Sequence, residues 1–311
     1  MTVDARPSGD AGATDLPLVT VVMTCYNHGR YLPDAIASIR AQTWPHIEMI
    51  LVDDGSTDET AAIVAQFDDV TYIWQANQGP SGARNTAIER ARGEFIAFLD
   101  ADDLFYPEGI EAGVRDLQAH PDCAFTFGRN RRVTMDGKLL LEDLVHPMDP
   151  DGYTTFLRRN IIGSHASILY RTELLRRVGG FDVSLRACED HELYLRLVRQ
   201  YSFSRHLTFV TDYRFHNTNS TRNAARMLGW YQQMDRMQRP YIAGNQRRTA
   251  ALDLGTRIAS EYYGILAMKG IVGSIVRRRP GDALRDARTL MTEYPQAPLL
   301  AAQSVIKRGP A

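Results

Sequence analysis

The apolar and polar positions of this chain alternate in blocks. Leu18 to Cys25 (LVTVVMTC) is β-branched and almost wholly apolar, as a strand covered on both faces should be. The run breaks at Tyr26-Asn27-His28-Gly29, a turn signal, and Tyr31, Ala35, Ile36, Ile39 and Ala41 then follow roughly helical spacing to about Gln42. Ile47 to Val52 reads as a second strand. It ends in Asp53-Asp54-Gly55-Ser56-Thr57-Asp58, where Ser56, Thr57 or Asp58 can cap a helix through Phe67. Val70 to Trp74 is a third strand, Asn77-Gln78-Gly79-Pro80 a turn, and Ser81 to Ala91 a helix. Phe95 to Leu99 is a fourth strand that stops abruptly in Asp100, Asp102 and Asp103. Three strand–helix units and a further strand predict a parallel α/β sheet with right-handed crossovers.

Beyond this the spacing predicts a helix from Phe105 to about His120, with Pro107 in its first turn. Strands follow at Ala124 to Phe127 and Arg131 to Thr134, with an Asp136-Gly137 turn leading to Leu139 to Leu141. Asp149 to Gly152 reads as loop, Ala166 to Tyr170 as a strand, and Thr172 to Val178 as a short helix ended by Gly179-Gly180. A helix after Glu189-Asp190 places Tyr194, Leu197, Val198 and Tyr201 on one face. From Ala224 strand signals fade, and Met227 to Met237, Arg247 to Val276 and Asp282 to Thr292 read as helices. The predicted organisation is a disordered tail over residues 1–16, an α/β domain over 17–223 and a helical C-terminal extension over 224–311. The extension packs on the domain or on another subunit, which makes a homo-oligomer through these helices one expectation.

Composition narrows the function. The 311 residues carry 44% hydrophobic and 23% charged side chains, ordinary for a soluble protein, and the net charge of −1 argues against a nucleic-acid partner. Cys25, Cys123 and Cys188 are odd in number and far apart, without a CxxC pair, so reduced thiols in a cytoplasmic protein are the economical reading. No apolar run is long enough for a transmembrane helix, and the first residues lack the apolar core of a signal peptide. Ile271 to Arg279 (IVGSIVRRR) reads either as a basic patch for peripheral membrane contact or as a packed helix whose Arg-rich end suits the helix dipole.

Ligands on such sheets bind beyond the carboxyl ends of the strands. Here those ends carry Thr24-Cys25-Tyr26-Asn27, Asp53-Asp54, Asn77-Gln78-Gly79 and Asp100-Ala101-Asp102, all polar or acidic. Carboxylates gathered at a buried strand end repel unless a cation sits among them, and a hard divalent ion is the simplest candidate. A solvated acidic turn ahead of a helix is the alternative. Neither GxGxxG after the first strand nor GxxxxGK[ST] occurs, which disfavours a dinucleotide dehydrogenase and a P-loop NTPase. Asp190 falls at the top of a buried stripe, where it, or Glu189 beside it, is either a functional acid or a helix cap.

The runs VTVVMTCYNHGRYLPDAIASIRAQTW, ILVDDGSTDET, NQGPSGARNTAI and GEFIAFLDADD, then NIIGSHASILYRTELLRRVGGFD, CEDHELYLRL and YRFHNTNST, resemble the family 2 inverting glycosyltransferases from about Leu18 to Thr221. The resemblance implies a GT-A fold, with residues 17–105 binding a nucleotide-sugar donor and 106–223 serving the acceptor and catalysis. It implies Asp102 as a ligand of Mg²⁺ or Mn²⁺, with Asp100 on the ribose or supporting the metal across Ala101, and Asp103 behind them. His216 matches a late metal- or diphosphate-binding His, and imidazole favours Mn²⁺. Thr24 and Tyr26, with Asn27 beside them, match positions flanking the base. Asp54, or Asp53, would accept the N3–H of uracil, a UDP-sugar being favoured, although thymine or guanine would serve as well. Arg84, with Asn77 and Gly79 around it, matches an Arg near base and phosphate. The general base is an acid of the Glu189-Asp190 pair, and Asp190 is the choice; one base implies one displacement and inversion. Gly179-Gly180-Phe181-Asp182 matches a loop on the acceptor side, near which Ser164 and His165 also fall. The acceptor is a sugar, glycolipid or small molecule in polysaccharide, cell-envelope or glycoconjugate synthesis. A sugar nucleotidyltransferase would bring a Gly- and Lys-rich triphosphate loop, and Lys is nearly absent. A non-catalytic nucleotide-sugar-binding scaffold would be favoured by a missing acid, and Asp100, Asp102 and Asp190 are all present.

Overall fold

A computed structural model describes residues 16–185, 187–215 and 224–293. Four parallel strands, β1 (Val19–Cys25), β2 (Ile47–Asp53), β3 (Val70–Trp74) and β4 (Phe95–Asp100), lie in the order β3-β2-β1-β4. Their side chains divide cleanly between two faces. Val19, Val21 and Met23 of β1 join Leu32, Ile36 and Ile39 of helix α1 (Leu32–Arg40) in one apolar cluster. Val22, with Ile50, Val52, Ile96 and Phe98, joins Ala83, Ala87 and Ile88 of the helix before β4 in the other. This is why the strands read as unbroken apolar runs: both faces are covered. The chain leaves β1 for β2 and β3 and returns to β4 on the other side of β1, so the β1–β4 gap is the switch point where such sheets take ligands. In that gap Thr24 is in register with Asp100.

The helices connecting these strands are α2 (Thr60–Val64) and α3 (Gly79–Arg90). The sheet then continues with mixed pairing. The two-residue β5 (Leu104–Phe105) precedes α4 (Gly109–Ala119), β6 (Cys123–Val133), β7 (Leu139–Glu142), α5 (Gly152–Arg158), β8 (Ile168–Arg171), α6 (Thr172–Arg177), α7 (Glu189–Val198) and β9 (Ser202–Arg214). The order past β4 is β8-β6-β9-β5, with β7 paired to the outer part of β6.

Four expectations are corrected here. The two strands expected over Ala124–Phe127 and Arg131–Thr134 are one, β6, which passes straight through Gly128. A Cβ at Gly128 would lie 2.4 Å from Val210 and 2.6 Å from the Thr208 carbonyl, so the glycine admits β9 rather than turning the chain. The strand β9 itself was not predicted, because its Ser, Arg, His, Thr and Asp positions hide the alternation. They are satisfied by neighbours, as Asp212 is by Arg131 and Tyr106. The helix expected from Phe105 starts at Gly109, since Leu104 and Phe105 pair with Asp212 and Thr211. The loop expected over Asp149–Gly152 holds to Asp151, and only Gly152 differs, because it opens α5, a helix the pattern does not signal.

The C-terminal helices α8 (Ala224–Ile242), α9 (Gln246–Val276) and α10 (Pro280–Glu293) pack on this chain's own domain. Arg247 and Arg248 pair with Asp149 and Asp151 at 2.7 and 2.9 Å, the Tyr153 hydroxyl donates to Gln238 at 2.9 Å, and Met234, Ile242, Ala251 and Leu252 enter the same cluster as Phe98. Among the described residues no helix is long and apolar enough to cross a membrane.

The fit of α9 depends on one position. A Cβ at Gly255 would sit 2.4 Å from the Leu157 carbonyl and 2.7 Å from that of Arg158, at the end of α5, whereas one at Gly264 would meet nothing within 4 Å. Gly264→Ala should therefore stabilise by about 0.5–1 kcal/mol through helix propensity. Gly255→Ala in the same helix should destabilise by roughly 1–3 kcal/mol through overpacking against backbone. Urea unfolding midpoints of the two variants check this, and equal shifts would show that α9 does not abut α5.

Candidate active site

The carboxyl ends of β1 to β3 form a loop cluster held together by buried acids. Asp53 accepts from the Ser56 amide and the Tyr72 hydroxyl, both at 2.8 Å. Asp54 accepts from the Gln75 amide group at 2.7 Å and from the Gln78 and Gly79 backbone N–H groups at 2.8 Å each. Its carboxylate thus sits at the N-terminus of α3, where the helix dipole favours it. Asn77 donates to the Asp54 carbonyl at 2.9 Å. Asn27, in the left-handed region at φ 55°, accepts from the Thr57 amide at 2.8 Å and stitches the turn after β1 to the loop after β2. Tyr26 stands beside it, 52% exposed. The two acids expected to read the base are therefore also the anchors of these loops.

Asp100 is where this cluster meets the second half of the chain. Thr24 donates to it at 3.2 Å, and so does Arg84 of α3 at 3.1 Å. The Arg84 guanidinium is 6% exposed, extends a second arm to Glu189 at 2.8 Å and lies 5.4 Å from the centre of the Phe181 ring. Ala101 is buried. Asp102 is 8% exposed, and its carbonyl accepts from the Arg214 side chain at the end of β9. Asp103 accepts from the Arg214 amide at 2.9 Å; burial, then the charges of Asp102 and Asp100, push its carboxyl well above the usual range. No group of three His, Cys, Asp or Glu side chains able to hold a metal is assembled among the described residues. His216 lies outside them.

Glu189 and Asp190 open α7, behind Cys188, a buried non-glycine residue in the left-handed conformation at φ 60°. That geometry is strained for a side chain with a Cβ, and it swings both acids towards Arg84. Burial raises the Glu189 carboxyl; Arg84 pulls it down and Asp190 pushes it up. Burial also raises Asp190, against a 2.7 Å bond from the His191 amide and the attraction of Arg84. His191 is buried and donates Nε2–H to the Phe156 carbonyl at 2.8 Å; burial lowers its pKa to about 4, so it stays neutral and ties α7 to α5. Gly179 and Gly180 close α6 with backbone bonds to Arg176 and Leu175, and Arg196 of α7 donates to the Val178 and Gly180 carbonyls at 2.6 Å each. Asn85 clamps Phe181 through both its amide and its carbonyl at 2.8 Å. The Gly179–Asp182 turn is thereby fixed between α3 and α7.

A cavity of about 980 Å³ opens from Arg84, Asp100, Glu189 and Asp190. Thr24, Tyr26, Asp53, Asp54 and Asn77 do not line it, whereas Ser164 and His165 do. Its far wall is helical: Met227, Tyr231 and Met234 of α8, and Tyr262, Tyr263 and Leu266 of α9. Burial foremost, with the Asp190 charge contributing, pushes the Tyr231 phenol well above its ordinary range. Sequence reasoning missed Cys188, for which no pattern signals a left-handed residue, and the helical wall. The Tyr262-Tyr263 pair and Tyr231 were visible in the sequence but had no partner to assign them to.

A family model described as glycosyl transferase family 2 matches residues 20–179. A putative teichuronic acid biosynthesis glycosyltransferase, TuaG of Bacillus subtilis, is 37% identical over 153 residues, which are 47% of this chain and 60% of the relative. An uncharacterized glycosyltransferase of Rickettsia typhi is 28% identical over 228 residues, 70% of each chain. Among solved structures, Staphylococcus aureus TarS 1–349 superposes with a TM-score of 0.55 at 19% identity, over 90% of this chain and 91% of that one. The mannosyltransferase PcManGT of Pyrobaculum calidifontis, in complex with GDP-Man and Mn²⁺, gives 0.58 at 18% identity, over 93% and 86%. At these identities the two structures speak for the fold, a GT-A-type curled α/β sheet with C-terminal helices. With its motifs in the family's order, its acids gathered at the switch point of such a sheet and over half its length matched by the family model, the chain belongs to glycosyl transferase family 2.

Proposed function

We propose that this chain transfers a sugar, with inversion, from a nucleoside-diphosphate sugar, UDP-sugars foremost, to an acceptor hydroxyl in polysaccharide or cell-envelope synthesis. The observation that carries the reading is the Arg84 bridge, which joins the strand-end acid Asp100 to the Glu189-Asp190 pair across the mouth of one cavity. The similar proteins agree in kind, since one relative is named for teichuronic acid biosynthesis and TarS has been solved with UDP and with UDP-GlcNAc.

In this reading the nucleotide lies over the ends of β1 to β3. Tyr26 offers an exposed ring for the base, and the Asp53 and Asp54 loops shape the edge that reads it. The donor sugar projects past Asp100 into the cavity, and the acceptor enters from the helical wall. Asp190 takes the proton of the acceptor hydroxyl while that oxygen bonds the anomeric carbon and the diphosphate oxygen departs with the bonding pair. The proton then passes to solvent. Burial makes Asp190 a stronger base than an exposed carboxylate, and Arg84 opposes that shift by favouring the ionised form.

A divalent cation fits the acidic end. Asp102 and Asp100 offer hard oxygen ligands, and after burial it is their charges that lift Asp103. A cation that also binds a substrate diphosphate takes only one or two protein carboxylates, not a full cage. Asp102 would hold it, with Asp100 supporting and His216 as a further ligand, and Mn²⁺ suits an imidazole better than Mg²⁺ does. Bound there, the ion supplies charge neutralisation of the leaving diphosphate.

The decisive experiment incubates the protein with a panel of nucleotide sugars, Mn²⁺ and envelope-type acceptors. Transfer from one donor with inverted anomeric configuration is expected; no donor bound, hydrolysed or transferred overturns the reading. Asp190→Asn should keep nucleoside-diphosphate binding while transfer falls about 10²–10⁴-fold. Unchanged turnover would remove Asp190 as the base.

The pH dependence has a definite sign. Transfer should fall on an acid limb lying above the ordinary carboxylate range of about 4, because Asp190 is raised. Arg84→Met should move that limb to higher pH, since Arg84 favours the ionised form. A limb that stays put assigns it to another group.

Stability follows the same shift. With its folded pKa above the unfolded value, the native state binds the extra proton, and stability falls as pH rises through that window. Asp190→Asn should therefore raise the unfolding midpoint at pH 7, and the gain should shrink towards pH 4. Differential scanning calorimetry at both pH values decides it.

A further inference from the structure

The cavity carries a charge pattern that the transfer chemistry does not require. Arg132 of β6 and Arg158 and Arg159 at the end of α5 all line it, and all three are exposed. Among the described residues, none of them has a carboxylate within ion-pair distance; Arg159 has only a 3.4 Å contact with the His146 ring. Their neighbours that do not line the cavity are paired. Arg129 and Arg131, on the same strand, pair with Glu142 and Asp212 at 3.4 and 3.1 Å. Arg247 and Arg248, across from α5, pair with Asp149 and Asp151. Residues 216–223, which join the cavity-lining Phe215 and Ala224, contain no Asp or Glu.

The acids that do reach the cavity are committed elsewhere. Glu142 pairs with Arg129, Asp143 accepts from the Asn130 side chain at 3.0 Å and feels the charges of Arg132 and Arg129, Asp100 and Glu189 are held by Arg84, and Asp190 accepts from the His191 amide. Arg132, Arg158 and Arg159 thus reach the cavity without a close ion pair, the charges of Asp143 and Asp149 acting on Arg132 and Arg158 only from further away. Guanidinium groups bind carboxylate and phosphate with two-pronged hydrogen bonds. Tyr231, Tyr262 and Tyr263 line the same cavity, amphipathic rings suited to packing on pyranose rings.

We propose that the acceptor is an anionic saccharide, whose carboxylate or phosphate is held by Arg132, Arg158 and Arg159 while its rings lie along the tyrosines of α8 and α9. The word acceptor rests on the transfer reaction proposed above; the binding of an anionic saccharide does not.

The test uses three disaccharides matched in size: one neutral, one bearing a uronic-acid carboxylate and one bearing a phosphate monoester. Binding of each to the full chain is measured by titration calorimetry, alongside the Arg158→Gln variant and the variant with Arg132, Arg158 and Arg159 all changed to Gln. Thermal unfolding confirms that each variant is folded. The charged sugars should bind at least about tenfold more tightly than the neutral one, as charge-assisted hydrogen bonds require. That preference should weaken with added salt, shrink in Arg158→Gln and vanish in the triple variant. The carboxylate and phosphate arms tell which anion fits. Equal binding of neutral and charged sugars, or a preference that survives the triple substitution, overturns the inference. With the donor identified above, the same ratios should appear in acceptor KM. If no donor is turned over, the transfer reading fails while the calorimetric result still decides this one.

Discussion

One buried guanidinium holds this site together. Arg84 is reached by Asp100 from the sheet and by Glu189 from α7. Burying a charge is costly unless it is paired, and removing one partner of a buried pair leaves the others uncompensated. The position of α3 is therefore shared by both halves of the site. Its N-terminus is fixed by the Asp54 carboxylate, and its middle by the Asn85 clamp on Phe181. A shift of α3 would disturb the strand-end loops anchored by Asp54 and the acid pair at once.

The acid pair shows what the arrangement costs. Glu189 and Asp190 occupy the first turn of α7, where the helix dipole favours negative charge, yet burial outweighs that help and both carboxyls are raised. Cys188 adds a left-handed backbone to the same turn. A fold selected for stability alone would place neither feature here. Strain and unfavourable charge gathered at one helix start, facing one cavity, are the usual mark of a functional site.

The sequence was legible where a residue's environment is set by its near neighbours in the chain. The strands β1 to β4 are covered on both faces and so read as apolar runs, and the acids at their ends fell on one edge because parallel crossovers put them there. It was illegible where the environment is set by distant partners. Strand β9 buries few of its side chains and spends its polar ones on Arg131 and Tyr106, so no alternation survives. Gly128 resembles a turn residue until β9 is laid against it. The roles expected for Asp53 and Asp54 were read from position. Their bonds to Ser56, Tyr72, Gln75, Gln78 and Gly79, which make them loop anchors, depend on side-chain geometry that no spacing encodes.

That division has a functional counterpart. The motifs that identify the family lie largely at the ends of β1 to β4 and around the Arg84 bridge. The cavity is walled in part by α8 and α9, which lie outside the residues matched by the family model. Their placement depends on contacts such as Gly255 against the end of α5, which sequence pattern cannot show. In an enzyme of this kind the common step and the selective step need different walls. The common one must be rigid and charged to hold a diphosphate and a base. The selective one has only to match the shape and charge of an acceptor, and so is free to be built from whatever helices follow.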